Sequence, residues 1–431
     1  MLDISGDPEG FSGIWSVLAS HTEQIRCLNF VCWGWLDIQK AANIMSRPLP
    51  LLHTLTINDS YEDPPLGETV THPPLPLFSN ATNLKELRLY SKSSLSPLLG
   101  QFTFPNLVSF YFSAMPLEDF LTSQLLDFLE ASPMLQIVQM AITTFRSFED
   151  IPQERVVVLP SVKSFALIMG DYKRVNGYDV AAHISCPSVR HTSFVHEGGH
   201  DWDALPGDIF PDPVDWSAVV SRYMRRPIEE VELKIETNTR LSCKLTFRPS
   251  DASIVEFSFI TPDIYDNQVE CWAPPLGLHS EVFTQAARTI RDHPQVKNIK
   301  RLHIYPGSRI WSPDLVKDIA SQVRQLFESL DHLDEFFIYH GDLRPFFYCN
   351  DSNKNAEEQA VFPPTKELTI SHPLLLSDEQ LSDVATIAES QRAMGKPFGR
   401  VVIRGLALPA EVRDRLKQCV DGVKNVYEPV D

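Results

Sequence analysis

A short apolar pattern recurs along this chain, and it restricts the fold more than any other feature. The pattern reads apolar, two residues, apolar, one residue, apolar. Its clearest copy is Asn83-Leu84-Lys85-Glu86-Leu87-Arg88-Leu89. Other copies set out Leu52, Leu55, Ile57; Leu107, Phe110, Phe112; Leu135, Val138, Met140; and Val162, Phe165, Leu167. Ile25, Leu28 and Phe30 open the series, and a weaker copy is Val189, Thr192, Phe194. The second half adds Ile228, Val231, Leu233; Ile299, Leu302, Ile304; and Leu333, Phe336, Ile338. Leu368 with Ile370, and Phe398, Val401 with Ile403, close it. Within each copy the last two apolar residues alternate, so they point to one side of a strand. One such strand cannot bury that side alone, whereas stacked neighbours share a continuous core.

The intervals support a repeat. Central positions 28, 55, 87, 110, 138, 165, 192 and 231 are 27, 32, 23, 28, 27, 27 and 39 residues apart. Position 302 follows after 71 residues, then 336, 368 and 401 after 34, 32 and 33. Most intervals fit one strand and one helical or irregular return, the size of a leucine-rich repeat. The long interval holds Lys244-Leu245-Thr246-Phe247 and Ile254-Val255-Glu256-Phe257-Ser258-Phe259 around a polar turn, which reads as a β-hairpin insertion. It also leaves open a two-domain α/β protein with its boundary there.

Helices read clearly in several returns. Leu117–Leu129 aligns Leu121, Leu125, Phe128 and Leu129 and stops at Ser132-Pro133. Ser312-Pro313 opens a helix with the stripe Leu315, Ile319, Val323, Leu326, Phe327 and Leu330. Phe11–Ser20, Trp216–Met224, Glu281–Arg291 and Asp378–Met394 read as further helices, and proline-bearing loops lead into many strands. The expected fold is therefore α/β: an irregular leucine-rich-repeat solenoid with a curved parallel sheet, and helices and loops on its convex face. Residues 1–431 are expected to form one solenoid, with a capping helix region at 1–24, the hairpin insertion at 236–298 and a C-terminal cap at 404–431.

Composition narrows the functions open to such a chain. Hydrophobic residues are 43% and charged residues 22%, enough for a large core. The formal charge is −18, which argues against a general binder of nucleic acid or anionic membrane. No apolar run is long enough to span a membrane, and the first residues lack the basic and apolar regions of a secretory signal. Cys27, Cys32, Cys186, Cys243, Cys271, Cys349 and Cys419 are scattered rather than paired, which fits free thiols in the cytoplasm or nucleus.

At this point the chain resembles a known family. Pro105-Asn106-Leu107-Val108-Ser109-Phe110-Tyr111-Phe112, Asn83-Leu84-Lys85-Glu86-Leu87-Arg88-Leu89, Pro50-Leu51-Leu52-His53-Thr54-Leu55-Thr56-Ile57 and Ser20-His21-Thr22-Glu23-Gln24-Ile25-Arg26-Cys27-Leu28 look like the degenerate repeats of fungal F-box/leucine-rich-repeat proteins. The resemblance is closest over residues 1–200. It implies repeats that present a target protein to a ubiquitin ligase, with an F-box docking on a Skp-type adaptor. The usual F-box opening, Leu-Pro-x-Glu-Ile, does not precede the first repeat. Leu408-Pro409-Ala410-Glu411-Val412 approximates it but reads as the last amphipathic helix. Adaptor binding is therefore expected only if an F-box lies upstream.

Chemical motifs are sparse. His196-Glu197-Gly198-Gly199-His200 matches the zinc-protease pattern His-Glu-x-x-His, which works by placing both imidazoles on one helix face. Two glycines weaken such a helix by about 1 kcal/mol each, and Val189–Val195 reads as a strand. A polar loop is the expected state; a loop metal site of His196, His200, Asp201 or Asp203 is the alternative. No phosphate-binding glycine loop, nucleophile elbow or Cys-x-x-Cys pair occurs. No cofactor, metal or catalytic residue is assigned. A hydrolase or metal enzyme within 192–302 is kept as a further alternative. Arg222, Arg225 and Arg226 read as structural cations at a helix end.

The strand residues between the apolar positions point away from the core. These include Glu86, Arg88, Tyr90, Ser109, Tyr111, Ile137 and Gln139, then Glu230, Glu232 and Lys234. Arg301, His303, Tyr305, Glu335, Phe337 and Tyr339 continue the set. Tyr and Arg are enriched among interface hot spots. The candidate partner-binding residues are therefore Tyr90, Arg88, Tyr111, Arg301, His303, Tyr305, Phe337 and Tyr339, with Tyr305, Phe337 and Tyr339 as the central group. The expected function is non-enzymatic protein binding by a monomer. A stand-alone scaffold or inhibitor without a ligase role is the main alternative.

Overall fold

The computed structural model describes residues 2–4, 17, 20–32, 47–59, 81–91, 104–114, 122–142, 151–152, 154–170, 177–197, 222–224, 226–237, 241–260, 276–306, 313–339, 346, 362–371, 378–405 and 407–426. The fold is mixed α/β. The chain divides into two compact units, Met1–Gly199 with Ala218–Tyr223, and His200–Ser217 with Met224–Asp431.

In the first unit the strands are β1 (Leu2–Ile4), β2 (Cys27–Cys32), β3 (Thr54–Asp59), β4 (Glu86–Ser91), β5 (Ser109–Ala114), β6 (Ile137–Ile142), β7 (Val157–Val158), β8 (Ser164–Gly170), β9 (Ile184–Ser185) and β10 (His191–Glu197). β1 to β6, then β8 and β10, lie side by side, and each neighbouring pair is parallel. β7 and β9 form a separate short pair. The registers place Leu28, Leu55, Leu87, Phe110, Val138, Phe165 and Thr192 in one row. Those are the central positions of the sequence pattern, and none is more than 3% exposed. The next core row, Ile57, Leu89, Phe112, Met140, Leu167 and Phe194, is buried as well.

A tight turn precedes each of β3 to β6, β8 and β10. The amide of the first pattern residue donates to a carbonyl three residues back: Leu52 to Leu49, Leu84 to Ala81, Leu107 to Phe104, Leu135 to Ser132, Val162 to Leu159 and Val189 to Cys186. Pro50, Pro105, Pro133, Pro160 and Pro187 occupy the second turn position, where a fixed φ favours the turn. The first turn residue is buried every time. Successive turns are tied together where asparagine follows. Asn83 Nδ2 donates to the Pro50 carbonyl at 2.6 Å and Asn106 Nδ2 to the Thr82 carbonyl at 2.8 Å.

The helices α1 (Thr122–Glu130) and α2 (Gly177–Ala182) accompany these strands. α1 buries Leu125, Leu126, Phe128 and Leu129, and the Phe128 ring lies 4.6 Å from Phe110. The helix therefore covers the core face of the strands.

The second unit contains β11 (Ile228–Thr237), β12 (Leu241–Pro249), β13 (Ile254–Ile260), α3 (Leu276–Asp292), β14 (Arg301–Tyr305), α4 (Pro313–Glu328), β15 (Leu333–Tyr339), β16 (Thr365–Ser371), α5 (Asp378–Ala393), β17 (Arg400–Arg404), α6 (Ala410–Cys419) and β18 (Gly422–Val426). β12 pairs antiparallel with both β11 and β13. β11, β14, β15, β16, β17 and β18 follow one another in parallel. Val231, Leu302, Phe336, Leu368 and Val401 form one fully buried row. Val231 and Leu302 are thus direct partners across the 71-residue interval, while the β12–β13 hairpin extends from the other side of β11. Helices again supply the second layer of the core. Phe327 of α4 packs 5.2 Å from Phe336 and 4.8 Å from Phe362.

Each terminal region carries a strand that the sequence pattern did not place. The region 1–24 contains a strand, because Leu2, Asp3 and Ile4 pair with Leu28, Asn29 and Phe30 and extend the sheet. The region 404–431 includes the expected amphipathic helix as α6. After α6 the chain adds β18, which pairs with β17 through Val401 and Val423. The expected helices at 11–20 and 216–224 fall largely outside the described residues. Among the described residues, no helix is long and apolar enough to cross a membrane.

Candidate functional site

The pleat sends alternate residues of β11, β14 and β15 to the face opposite the core. In the second unit this face carries three rows set by register. The first row runs Arg248, Glu230, Arg301, Glu335, Glu367, Arg400 across successive strands. The second places Glu232, His303, Phe337 and Thr369 side by side, and the third Lys234, Tyr305, Tyr339 and Ser371. The hairpin supplies Lys244 opposite Lys234, with Glu256 on β13.

The aromatic residues singled out from the sequence come together here. Ring centroids are 5.2 Å apart for Tyr305 and Tyr339, 6.1 Å for Tyr305 and Phe337, and 6.0 Å for Phe337 and Tyr339. The His303 ring lies 5.4 Å from Phe337. All four side chains are half-buried. Burial pushes the Tyr305 phenol above its ordinary pKa, and the Glu232 carboxylate adds to the shift. The phenol is therefore a neutral hydroxyl at physiological pH, able to donate and accept.

Charges surround this group. Arg248 reaches Glu232 at 3.0 Å and Glu230 at 3.4 Å, and Arg301 holds the other Glu230 oxygen at 3.1 Å. Arg400 reaches Glu367 at 3.2 Å, and Thr369 Oγ1 donates to the same carboxylate at 3.2 Å. His303 Nε2 stands 4.0 Å from Glu335. Arg248, Glu256, Glu367 and Arg400 were not among the sequence candidates. Their places depend on hairpin register and on which strand lies beside which, and a list of apolar triplets carries neither.

The face is not open along its whole width. Thr369 and Ser371 of β16 and Val402 of β17 occupy alternate positions yet are at most 3% exposed. The first row is accessible along its length, and Lys234 and Lys244 of the third row are 40% and 41% exposed. In the first row the exposed fractions of the side chains are 45% for Arg301, 33% for Glu335, 31% for Glu367 and 55% for Arg400.

In the first unit, Arg88, Tyr111 and Tyr90 lie on the corresponding face. Arg88 bonds Glu86 at 2.6 Å, and its guanidinium sits 4.9 Å from the Tyr111 ring centre, a cation–π geometry. Tyr90 is 38% exposed and Ile137 37%. The structure therefore sorts the eight candidates into two groups, Arg88, Tyr90 and Tyr111 in one unit and Arg301, His303, Tyr305, Phe337 and Tyr339 in the other.

His196 lies in strand β10 opposite Met169, so the His-Glu-x-x-His stretch does not start on a helix. His200, Asp201 and Asp203 fall outside the described residues. Among the described residues, no three His, Cys, Asp or Glu side chains are arranged to hold a metal ion. No protein-family model matches this chain, and no curated protein matches it.

Proposed function

We propose that the chain is an irregular leucine-rich-repeat solenoid that binds a protein partner, without catalysis, on the sheet face opposite its helices. The observation that carries this reading is the group of Tyr305, Phe337 and Tyr339, half-buried on that face and ringed by paired charges. Aromatic rings with polar handles bury much area for little side-chain entropy, and hot spots of interfaces are built this way. A net charge of −18 favours a protein over nucleic acid as the ligand. The resemblance of the repeats suggests the substrate-receptor side of a ubiquitin ligase. The cytoplasm or nucleus is the proposed location.

The test compares proteins captured by the wild-type chain with those captured by a Tyr305→Ala, Tyr339→Ala double variant, by quantitative mass spectrometry. The variant is expected to keep its circular dichroism spectrum and lose the specific partner. Unchanged capture would remove the aromatic group from the binding face. Co-precipitation with purified Skp-type adaptor separates the ligase role from a stand-alone scaffold.

A further inference from the structure

The first row of the second unit alternates in sign with one exception. Arg248, Glu230, Arg301 and Glu335 read plus, minus, plus, minus on successive strands, and Glu367 with Arg400 resumes the alternation. Between them, Glu335 stands directly opposite Glu367 on the neighbouring strand. Like charges in this position repel. Glu367 keeps its own arginine, whereas the arginine beside Glu335 is turned away. Arg301 Nε is turned to Glu230 at 3.1 Å, and Arg400 takes the far side of Glu367. Among the described residues, the ion-pair neighbour of Glu335 is the His303 ring, 4.0 Å away. Both glutamates remain about one-third exposed. Phe337 lies two residues along from Glu335 on the same face, within the aromatic group.

We propose that the partner inserts an arginine or lysine side chain between Glu335 and Glu367, with its aliphatic stem lying over Phe337. This rests on the reading of that face as a protein-binding surface and adds the chemistry of the partner. The dimensions suit it. Neighbouring strands are about 4.8 Å apart, so one cation meets both carboxylates with charge-assisted hydrogen bonds. Two residues along a strand span roughly 7 Å, about the length of an arginine stem. Inserting the cation completes the alternation of sign from Arg248 to Arg400. Thr369 and Arg400 hold the Glu367 carboxylate in place, so the pair is partly organised before binding.

The experiment selects decapeptides from a random phage-displayed library on the full-length chain, then measures synthetic copies by fluorescence anisotropy. Selected peptides are expected to carry an arginine or lysine next to an apolar residue. Replacing that arginine by citrulline should weaken binding about tenfold, the worth of one charge-assisted contact. Glu335→Gln should produce a similar loss, while its thermal midpoint stays level or rises, because the repulsion with Glu367 is relieved. Acidic or uncharged selected peptides, or full binding by Glu335→Gln, would overturn the proposal. Selected peptides that lack a basic residue yet fail on the Tyr305→Ala, Tyr339→Ala variant would overturn only the partner chemistry. Peptides indifferent to that double variant, or no selected peptide at all, would overturn the binding face too.

Discussion

His293 shows how one buried side chain couples this fold to pH. Its ring is 1% exposed and packs 5.5 Å from Phe247, and Nδ1 accepts the Gln295 amide at 3.0 Å. Burial lowers its pKa from 6.5 to about 4. Below pH 6.5 the unfolded chain takes up a proton that the folded chain refuses until about pH 4. The contribution is therefore complete above 6.5 and lost as pH falls toward 4, at roughly 1.4 kcal/mol per pH unit. Urea midpoints measured from pH 7.5 to 4 should fall more steeply for the wild type than for His293→Gln. Gly399 makes a second prediction at this scale. A Cβ there would sit 2.8 Å from the Lys366 carbonyl oxygen. Gly399→Ala should push β17 from β16, cost about 1–3 kcal/mol and lower the thermal midpoint. Neither residue was legible in the sequence. A lone histidine and a glycine ahead of a strand carry no pattern until their neighbours in space are known.

Among the elements, α6 buries Val412, Leu416 and Cys419 and is also tied to its neighbour by one arginine. Arg415 donates to both oxygens of Glu389 at 2.8 and 2.9 Å, to Ser382 Oγ at 2.7 Å and to Thr386 Oγ1 at 3.0 Å, all on α5. The hydrogen bond from Arg415 also draws the Glu389 carboxyl below its ordinary pKa. Lysine keeps the charge but not the planar fork. Arg415→Lys should therefore forfeit most of what Arg415→Ala forfeits, about 1 kcal/mol after allowing for partial exposure. Hydrogen exchange should accelerate in α6 amides and leave β3 to β6 unchanged. In the first unit, Phe128→Ala removes the ring against Phe110 and should cost about 3–5 kcal/mol in denaturant titration. The hairpin β12–β13 and the helices α3 to α5 were legible because their apolar residues keep period 2 or 3.6. β18 was not, since the core-facing positions after Val423 include Asn425, which pairs with Ile403. β1 escaped because it is three residues long, too short for its alternation to register as a pattern.

For the molecule as a whole, the acidic excess sets its behaviour in solution. With a sequence pI near 5.2 the chain should be least soluble around pH 5, which turbidity against pH will check. The central row of each unit was legible from position numbers alone, because register follows the pattern whatever the length of the return. Leu55 to Leu87 spans 32 residues and Leu87 to Phe110 only 23, yet both pairs are direct partners. The candidate face was legible only as a set of outward residues. The burial of Thr369, Ser371 and Val402, and the break in sign between Glu335 and Glu367, depend on neighbours the sequence does not order.

Consecutive strands β2 to β6 touch mainly the strand before and the strand after, and this has a mechanical consequence. Under tension from its two ends such a unit should come apart as a zip does, one tooth at a time. Each released strand with its return of 23 to 32 residues lengthens the tether by ~90 Å. Force-extension traces in optical tweezers, with handles at Cys27 and at Glu197, should show a staircase of such steps, and a single rip would contradict it.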